Sequence, residues 1–206
     1  MVATLVSVNV VHDLTRGRWG TTAIDKRPVA GPVEVGELGV VGDRQMQRGH
    51  GGPDKAVYAY AAEDAAWWAE RLGHEVAPGY FGENLTTRGL EVTGALIGET
   101  WAIGQVELEV RMPRTPCENL SKRVGIDAFH LGFNATGRVG ALLKVIRPAS
   151  LESGTTIRVT HRPAHHVSVG DWARGATPAQ AAALLDSGVP LARNVRSKAR
   201  RLAARA

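Results

Sequence analysis

The sequence predicts a mainly β fold, a β-rich barrel or sandwich, with one internal helix and a short helical C-terminal tail. Short apolar–polar alternations recur along the chain, 24 glycines interrupt them, and an alanine-, leucine- and arginine-rich composition is confined to the end. Because strand-like segments are not regularly separated by helices, a parallel α/β sheet is not expected. The 206 residues and 44% hydrophobic content suit one domain with a full core, at most with a small appendage.

Several segments alternate as half-buried strands do. In residues 106–111, Val106, Leu108 and Val110 face one way and the charged side chains between them face the other way. Related patterns predict strands or strand-and-turn segments at residues 6–10, 28–41, 55–60, 142–146 and 156–160.

Helical signals occur at two places. Glu63, Asp64 and Gly73 suit the first turn and the end of a helix over residues 62–72. From about Thr177, an N-cap followed by proline predicts a short helix, and a final basic helix follows it.

The charge of +5 is concentrated in the last fourteen residues, which contain six basic side chains and no acid. The rest of the chain is therefore close to neutral. A basic tail of this kind is more often a solvated helix end than a specific nucleic-acid site, so nucleic-acid binding is not the main expectation.

The sequence gives no indication of export or of a membrane segment. It begins without a basic stretch followed by a long apolar run, and no apolar run is long enough to span a bilayer. A cytoplasmic, reducing environment is therefore expected, in which a single thiol stays free.

Cys117 is the only cysteine, so it cannot form an internal disulfide. Two prolines in the preceding Pro-Arg-Thr-Pro segment restrict the backbone. Arg114, if it is also close in space, would favour a thiolate able to attack an electrophile or bind a soft metal. The alternative is an inert buried cysteine, which is the commoner state of a lone cysteine.

A second group of reactive residue types lies between Arg44 and Lys55. Gly51 and Gly52, directly after His50, allow a ligand to approach the backbone closely and expose N–H groups. Arg44 and Lys55 offer a guanidinium fork and a point charge to a phosphate. The alternative is a surface turn, since Gly-Gly-Pro-Asp is common turn chemistry.

A third candidate is the segment over residues 79–86. Its aromatic pair and the carboxamide of Asn84 could line a flat heterocycle, because an amide donates and accepts at a pterin or purine edge. The alternative places Phe81 in the core and Glu83 on the surface. Zinc is not expected, because the clustered histidines near residue 165 match no ligand spacing.

Five motifs follow one another along the chain: Gly-Asp-Arg-Gln at 42–45, His-Gly-Gly-Pro-Asp-Lys at 50–55, Gly-Tyr-Phe-Gly-Glu-Asn-Leu-Thr at 79–86, Ile-Gly-Glu at 97–99 and Pro-Arg-Thr-Pro-Cys-Glu-Asn-Leu at 113–120. In this order the chain resembles the MOSC-domain family, named for the C-terminal domain of molybdenum cofactor sulfurases. The bacterial stand-alone members related to the N-hydroxylaminopurine-resistance proteins are the most similar type. The resemblance implies a barrel-like MOSC domain over residues 1–174 and a small basic helical extension over residues 175–206.

The resemblance also implies the molybdenum cofactor, in which a pterin dithiolene (molybdopterin) holds the metal. Cys117 is then the thiolate ligand of the metal and, with Arg114, a catalytic residue. The cofactor-binding residues are expected to be Arg44, His50, Gly51, Gly52, Lys55, Asn84 and Arg114. The implied reaction reduces N-hydroxylated bases or related N-oxygenated compounds to amines, with electrons from a separate donor protein. Nothing resembles the aminotransferase-like domain of the full sulfurases, so pyridoxal phosphate is not expected.

Two other function classes remain open. Cys117 could hold a persulfide in a cofactor carrier or sulfur-handling module without turnover of its own. The basic tail could instead make the chain a nucleic-acid-binding module. Neither alternative involves a membrane.

Overall fold

The computed structural model describes residues 2–18, 20–46 and 49–205. Within these ranges the strands are β1 (Thr4–Gly17), β2 (Gly20–Pro28), β3 (Val33–Gly36), β4 (Gly39–Val40), β5 (Val57–Ala61), β6 (Leu85–Arg88), β7 (Thr100–Ile103), β8 (Val106–Pro113), β9 (Ala141–Arg147), β10 (Ala149–Leu151) and β11 (Ile157–His161). The helices are α1 (Ala62–Leu72), α2 (Glu118–Val124), α3 (Phe129–Thr136), α4 (Val169–Gly175), α5 (Pro178–Asp186) and α6 (Arg193–Ala203), with a 3-10 helix at Pro53–Lys55.

Sheet is the main architecture, as predicted. Eight strands form one sheet in the order β11-β7-β8-β9-β5-β6-β1-β2, and β10, β3 and β4 form a small second sheet. Neighbouring strands are antiparallel except β5 and β6, which run parallel. The alternation in β8 is confirmed, since Val106, Leu108 and Val110 are all fully buried.

The expected barrel is wrong, because the large sheet has two ends, β11 and β2. A single bridge between Thr4 and Thr156 brings the start of β1 beside the chain that leads into β11. The bridge does not extend into a ladder, because the chain turns at residues 153–154. β1 also changes its partner along its length. Its first residues pair with β6, and from Asn9 onward it pairs with β2 in a long hairpin.

The expectation of one internal helix is also wrong. The helix over residues 62–72 is confirmed, and the left-handed Gly73 ends it with φ 70°. Three further helices, α2, α3 and α4, precede the tail in the described part of the chain. Two are only seven residues long and α3 has eight, so they offer little periodicity to detect. No helix in the described ranges is long and apolar enough to cross a bilayer.

The tail helices α5 and α6 are confirmed, including the N-cap of Thr177 and proline at the start of α5. They pack on the rest of the chain through a second hydrophobic cluster rather than projecting into solvent. Val195 and Ala199 of α6 are buried in this cluster together with Ile97 and Met112, which belong to the sheet side of the molecule. The arginines of α6 lie on the exposed face, whereas Lys198 is half-buried against Trp172. The start of α6 is held beside β8.

Candidate functional site

A cavity of about 280 Å³ is lined by β2, the segment that follows Asp43, and the segment that joins β8 to α2. A more open groove of about 440 Å³ adjoins it and shares Lys55 and Asn194 with it. Gly51 and Gly52 line only this groove. The remaining residues predicted to act in catalysis or cofactor binding all line the cavity: Arg44, His50, Lys55, Asn84, Arg114 and Cys117.

Cys117 lies in the Cys117 segment (residues 113–119), between the end of β8 and the first turn of α2. Its backbone is extended, with φ −133° and ψ 174°, and its carbonyl accepts the N–H of Leu120 at 2.8 Å. The free thiol is half-buried and lines the cavity. This position suits a reactive or metal-binding thiol better than an inert core cysteine.

Arg114 presents its guanidinium beside the ring of Tyr58, with Cζ 5.4 Å from the ring centroid. Its backbone N–H donates to the carbonyl of Gly140 at 3.1 Å, which ties the segment to the chain before β9. Nη1 of Arg114 is buried, and no acceptor among the described residues receives a hydrogen bond from it. Burial also raises the pKa of Tyr58, whose hydroxyl donates to the carbonyl of Val139 at 2.9 Å and stays protonated.

Lys26, Asp43 and Asn84 form the Asp43 network, a second part of the same site. The Lys26 ammonium and the Asp43 carboxylate are a buried ion pair, with side-chain exposures of 7% and 5%. Burial lowers the pKa of Lys26, while the charge of Asp43 acts against that shift. Asp43 also accepts the Val11 backbone N–H at 3.0 Å and the Asn84 amide at 2.8 Å, so both of its oxygens are engaged.

Asn84 was predicted to contact a pterin, but its amide is already used inside the protein. Oδ1 accepts the backbone N–H of Tyr58 at 3.1 Å. Nδ2 donates to Asp43 and, at 3.3 Å, to the carbonyl of Asn9. Asn84 therefore holds the wall of the cavity in place, and a ligand contact through its Nδ2 stays a prediction that would require one of these bonds to open.

Glu83 is buried rather than exposed, contrary to the surface alternative for this segment, while Phe81 lies in the core. The Glu83 carboxylate accepts hydrogen bonds from the backbone N–H groups of Gly79 at 2.6 Å and Phe81 at 3.1 Å, and from the hydroxyl of Thr86 at 3.1 Å. Burial raises the pKa of Glu83, and these hydrogen bonds act against the shift. Glu83 thus organises the turn before Asn84 and does not line the cavity.

His50 is the titratable imidazole of the cavity lining. Its pKa is lowered, first by partial desolvation and then by the positive charges of Arg114 and Lys55. Lys55 is held at the rim, where its ammonium donates to the carbonyl of Gly49 at 2.5 Å. His50 is therefore a neutral donor and acceptor at physiological pH.

The sequence did not single out three of the polar lining residues: Lys26, Asn119 and Asn194. Asn119 follows Cys117 by two positions, so its place beside the thiol was the one available signal. Asn194 comes from α6, where its amide donates to the sulfur of Met112 at 3.3 Å. Nothing in the tail composition indicates that it reaches the site.

The cavity carries a positive field. Its described lining contains no carboxylate, whereas Arg44, Lys55 and Arg114 are basic and Lys26 is neutralised by Asp43. Basic side chains in a partly enclosed site attract anions more strongly than the same charges in open solvent. The arrangement therefore favours an anionic ligand.

A family model for the MOSC domain matches residues 46–158. The chain belongs to the MOSC-domain family. The match contains most of the cavity lining, including Lys55, Arg114 and Cys117, whereas Lys26 and Asn194 lie outside it. The cavity of this MOSC protein is thus completed by residues on either side of the matched range.

Two bacterial relatives resemble the MOSC protein over about two thirds of its length. YflK of Bacillus subtilis (strain 168) is 34% identical over 149 residues, or 72% of this chain and 67% of YflK. YiiM of Escherichia coli (strain K12) is 34% identical over 146 residues, or 68% of this chain and 65% of YiiM. A protein named reductase from Gibberella moniliformis is 34% identical over 149 residues, but the match spans only 26% of that longer protein.

Solved structures of YiiM extend the likeness to the whole fold. The structure from Geobacillus stearothermophilus has a TM-score of 0.79 at 26% identity and covers 97% of this chain and 98% of that one. YiiM from Escherichia coli has a TM-score of 0.77 at 26% identity, with coverage of 100% and 94%. Both likenesses extend through the C-terminal helices, beyond the range of the family model.

Proposed function

We propose that this MOSC protein binds the molybdenum cofactor in the cavity and reduces N-hydroxylated bases or related N-oxygenated compounds to amines. The observation that carries the proposal is the position of Cys117, half-buried in a cationic cavity without a lining carboxylate in the described chain. The association of the MOSC family with this cofactor supports it.

The residues present fit the chemistry of that group. Molybdopterin is anionic through its phosphate and its dithiolene sulfurs, and the lining offers Arg44, Lys55 and Arg114. The buried Nη1 of Arg114 has no acceptor among the described residues, and an anionic ligand would supply one. Cys117 provides a soft, polarisable ligand for the metal. Gly51 and Gly52 would contribute only where a ligand extends into the adjoining groove.

When bound, the cofactor would supply the two-electron redox chemistry, and the chain would supply binding, orientation and proton handling. The overall reduction consumes two electrons and two protons and releases an amine and water. The electrons would come from a separate donor protein. Neutral His50 is available to exchange a proton with a ligand, whereas Tyr58 remains a protonated phenol hydrogen-bonded to the backbone.

An activity assay tests the proposed reaction. Protein from a molybdenum-replete host is supplied with an artificial electron donor and 6-N-hydroxylaminopurine, and the formation of adenine is measured. We expect turnover by wild type and none by Cys117→Ser. Molybdenum-loaded protein that produces no adenine would contradict the reductase proposal for this substrate.

The half-exposed thiol of Cys117 also suits the alternative of a cofactor carrier or persulfide module. Such a module would hold sulfur or cofactor on Cys117 without reducing the N-hydroxylated base. Mass spectrometry of the intact chain, before and after thiol reduction, separates the two. The carrier would be favoured if wild type is heavier by one sulfur atom, Cys117→Ser is not, and wild type does not reduce the N-hydroxylated base.

A further inference from the structure

The carboxamide of Asn119 has a fixed orientation inside the cavity. The residue is 3% exposed, and its Oδ1 accepts the backbone N–H of Arg18 at 2.7 Å. A backbone N–H can only donate, so it selects the oxygen of the amide and excludes the flipped arrangement. Nδ2 is therefore the branch of the amide that does not contact the Arg18 N–H.

Close packing at Gly17 reinforces this orientation. A Cβ at Gly17 would lie 2.5 Å from Oδ1 and 3.1 Å from Cγ of Asn119. The backbone of Gly17 is not in the left-handed region, so an alanine there would disturb the amide and not its own conformation. The hairpin and the amide thus fit together only because residue 17 lacks a side chain.

Nδ2 of Asn119 is buried and donates to no acceptor in the described part of the chain. Nη1 of Arg114 is likewise a buried donor without an acceptor among the described residues, and both residues line the cavity. A buried donor without a partner is costly, so two of them in one cavity indicate a ligand that brings acceptors.

We infer that Asn119 is a substrate-binding residue whose Nδ2 donates a hydrogen bond to the oxygen of an N–O group, while Arg114 serves the anionic cofactor beside it. The inference rests on the proposed function and deepens it. An N-hydroxyl oxygen has lone pairs that accept from this donor. The nitrogen of the aromatic amine product carries hydrogens and a delocalised lone pair, so it accepts poorly. The Asn119 amide would therefore retain the N-oxygenated substrate and release the amine.

The test compares two ligands that differ by one oxygen, 6-N-hydroxylaminopurine and adenine. Their dissociation constants are measured on cofactor-loaded protein, kept oxidised and without an electron donor so that no turnover occurs. We expect wild type to prefer the N-hydroxylated base by about tenfold or more. Asn119→Leu keeps the branched shape but removes both the Nδ2 donor and the Oδ1 that accepts the Arg18 N–H, and it is expected to reduce this preference by about five- to tenfold.

Gly17→Ala provides a second variant with every polar lining group intact. The added methyl displaces the amide, so the preference should fall in the same direction as in Asn119→Leu. The matched control is Gly132→Ala in α3, where a Cβ meets no atom within 4 Å and the backbone is not left-handed. This control should keep the wild-type preference.

Three results would overturn the inference: no preference in wild type, an unchanged preference in Asn119→Leu, or loss of molybdenum from Asn119→Leu. The last result would assign the amide to the cofactor instead of the substrate. Turnover is scored separately. If wild type shows the Asn119-dependent preference but forms no adenine, the reductase proposal is refuted and the binding role stands. If wild type forms adenine but shows no Asn119-dependent preference, only the binding role is refuted.

Discussion

Two parts of the cavity use similar polar side chains in opposite ways. In the Asp43 network, the carboxylate of Asp43 and the amide of Asn84 have protein partners at every polar atom. In the Cys117 segment, Arg114 and Asn119 each leave a buried donor without an acceptor in the described chain. Lining the cavity therefore does not by itself identify a ligand-binding residue, and a buried donor that is also unmet is the stronger indication at a lining position. Away from the lining, Trp68 and Arg123 have unmet buried donors too, so both observations are needed together. The Asp43 network is a scaffold, and the Cys117 segment is the part built for a ligand.

The comparison predicts that damage to the Asp43 network costs stability. Asp43→Asn leaves the Lys26 ammonium buried without its counter-charge, so the free energy of unfolding in urea should fall by about 3–5 kcal/mol. The control Glu107→Gln breaks the exposed pair with Arg147 and should cost at most about 1 kcal/mol. Equal stability of Asp43→Asn and wild type would remove the distinction between the two regions.

Arg114→Leu is predicted to behave in the reverse manner. Since Nη1 has no acceptor in the part of the chain that the structure describes, the free energy of unfolding should change by no more than about 1 kcal/mol. Loss of a charge-assisted hydrogen bond to the cofactor should weaken its retention by roughly 10- to 100-fold. Molybdenum that remains after extended dialysis measures this effect, with the exposed Arg147→Leu as control. A variant that unfolds easily but keeps its molybdenum would place Arg114 in the scaffold.

Asn194→Ala tests whether α6 extends the ligand-binding region. The Asn194 amide donates to the sulfur of Met112, a weak acceptor, and therefore remains available at the mouth of the cavity. We expect KM for 6-N-hydroxylaminopurine to rise by about two- to fivefold, with molybdenum content unchanged. An unaltered KM would confine the ligand-binding region to the Cys117 segment.

The smallest expected effect is a pH dependence of stability from His50. Its pKa is lower in the folded protein, so the unfolded chain binds more protons just below pH 6.5. The free energy of unfolding should therefore decrease as the pH falls through that window and should not change from this cause at higher pH. His50→Gln should flatten the slope. If the free energy of unfolding depends on pH identically in wild type and His50→Gln, His50 has the same pKa in the folded and unfolded chain.

Local signals predicted much of the fold. The acidic first turn and the left-handed Gly73 gave both bounds of α1, and the alternation at Val106, Leu108 and Val110 gave the buried face of β8. The open sheet could not be predicted, because the pairing of its end strands, β11 and β2, depends on contacts between residues far apart in the chain. A capping box of Ser168 and Asp171 begins α4, and its Ser-x-x-Asp spacing is a helix-start signal that the sequence carries.

The candidate site was predictable through the order of its motifs, which brought Arg114 and Cys117 together with His50 and Lys55. Which side chains have free hydrogen-bonding capacity was not predictable. Asn84 and Asn119 are the same residue type in two of the motifs. Tertiary contacts with Tyr58, Asp43 and the backbone of Asn9 satisfy both ends of the first amide, while the hairpin satisfies only the oxygen of the second.

The central claim is that the Cys117 segment binds molybdenum through its thiol. Elemental analysis of protein purified from a molybdenum-replete host tests it most directly. We expect stoichiometric molybdenum in wild type and its loss in Cys117→Ser, with the free energy of unfolding preserved. Metal-free wild type, or a Cys117→Ser variant that retains as much molybdenum as wild type, would contradict the claim.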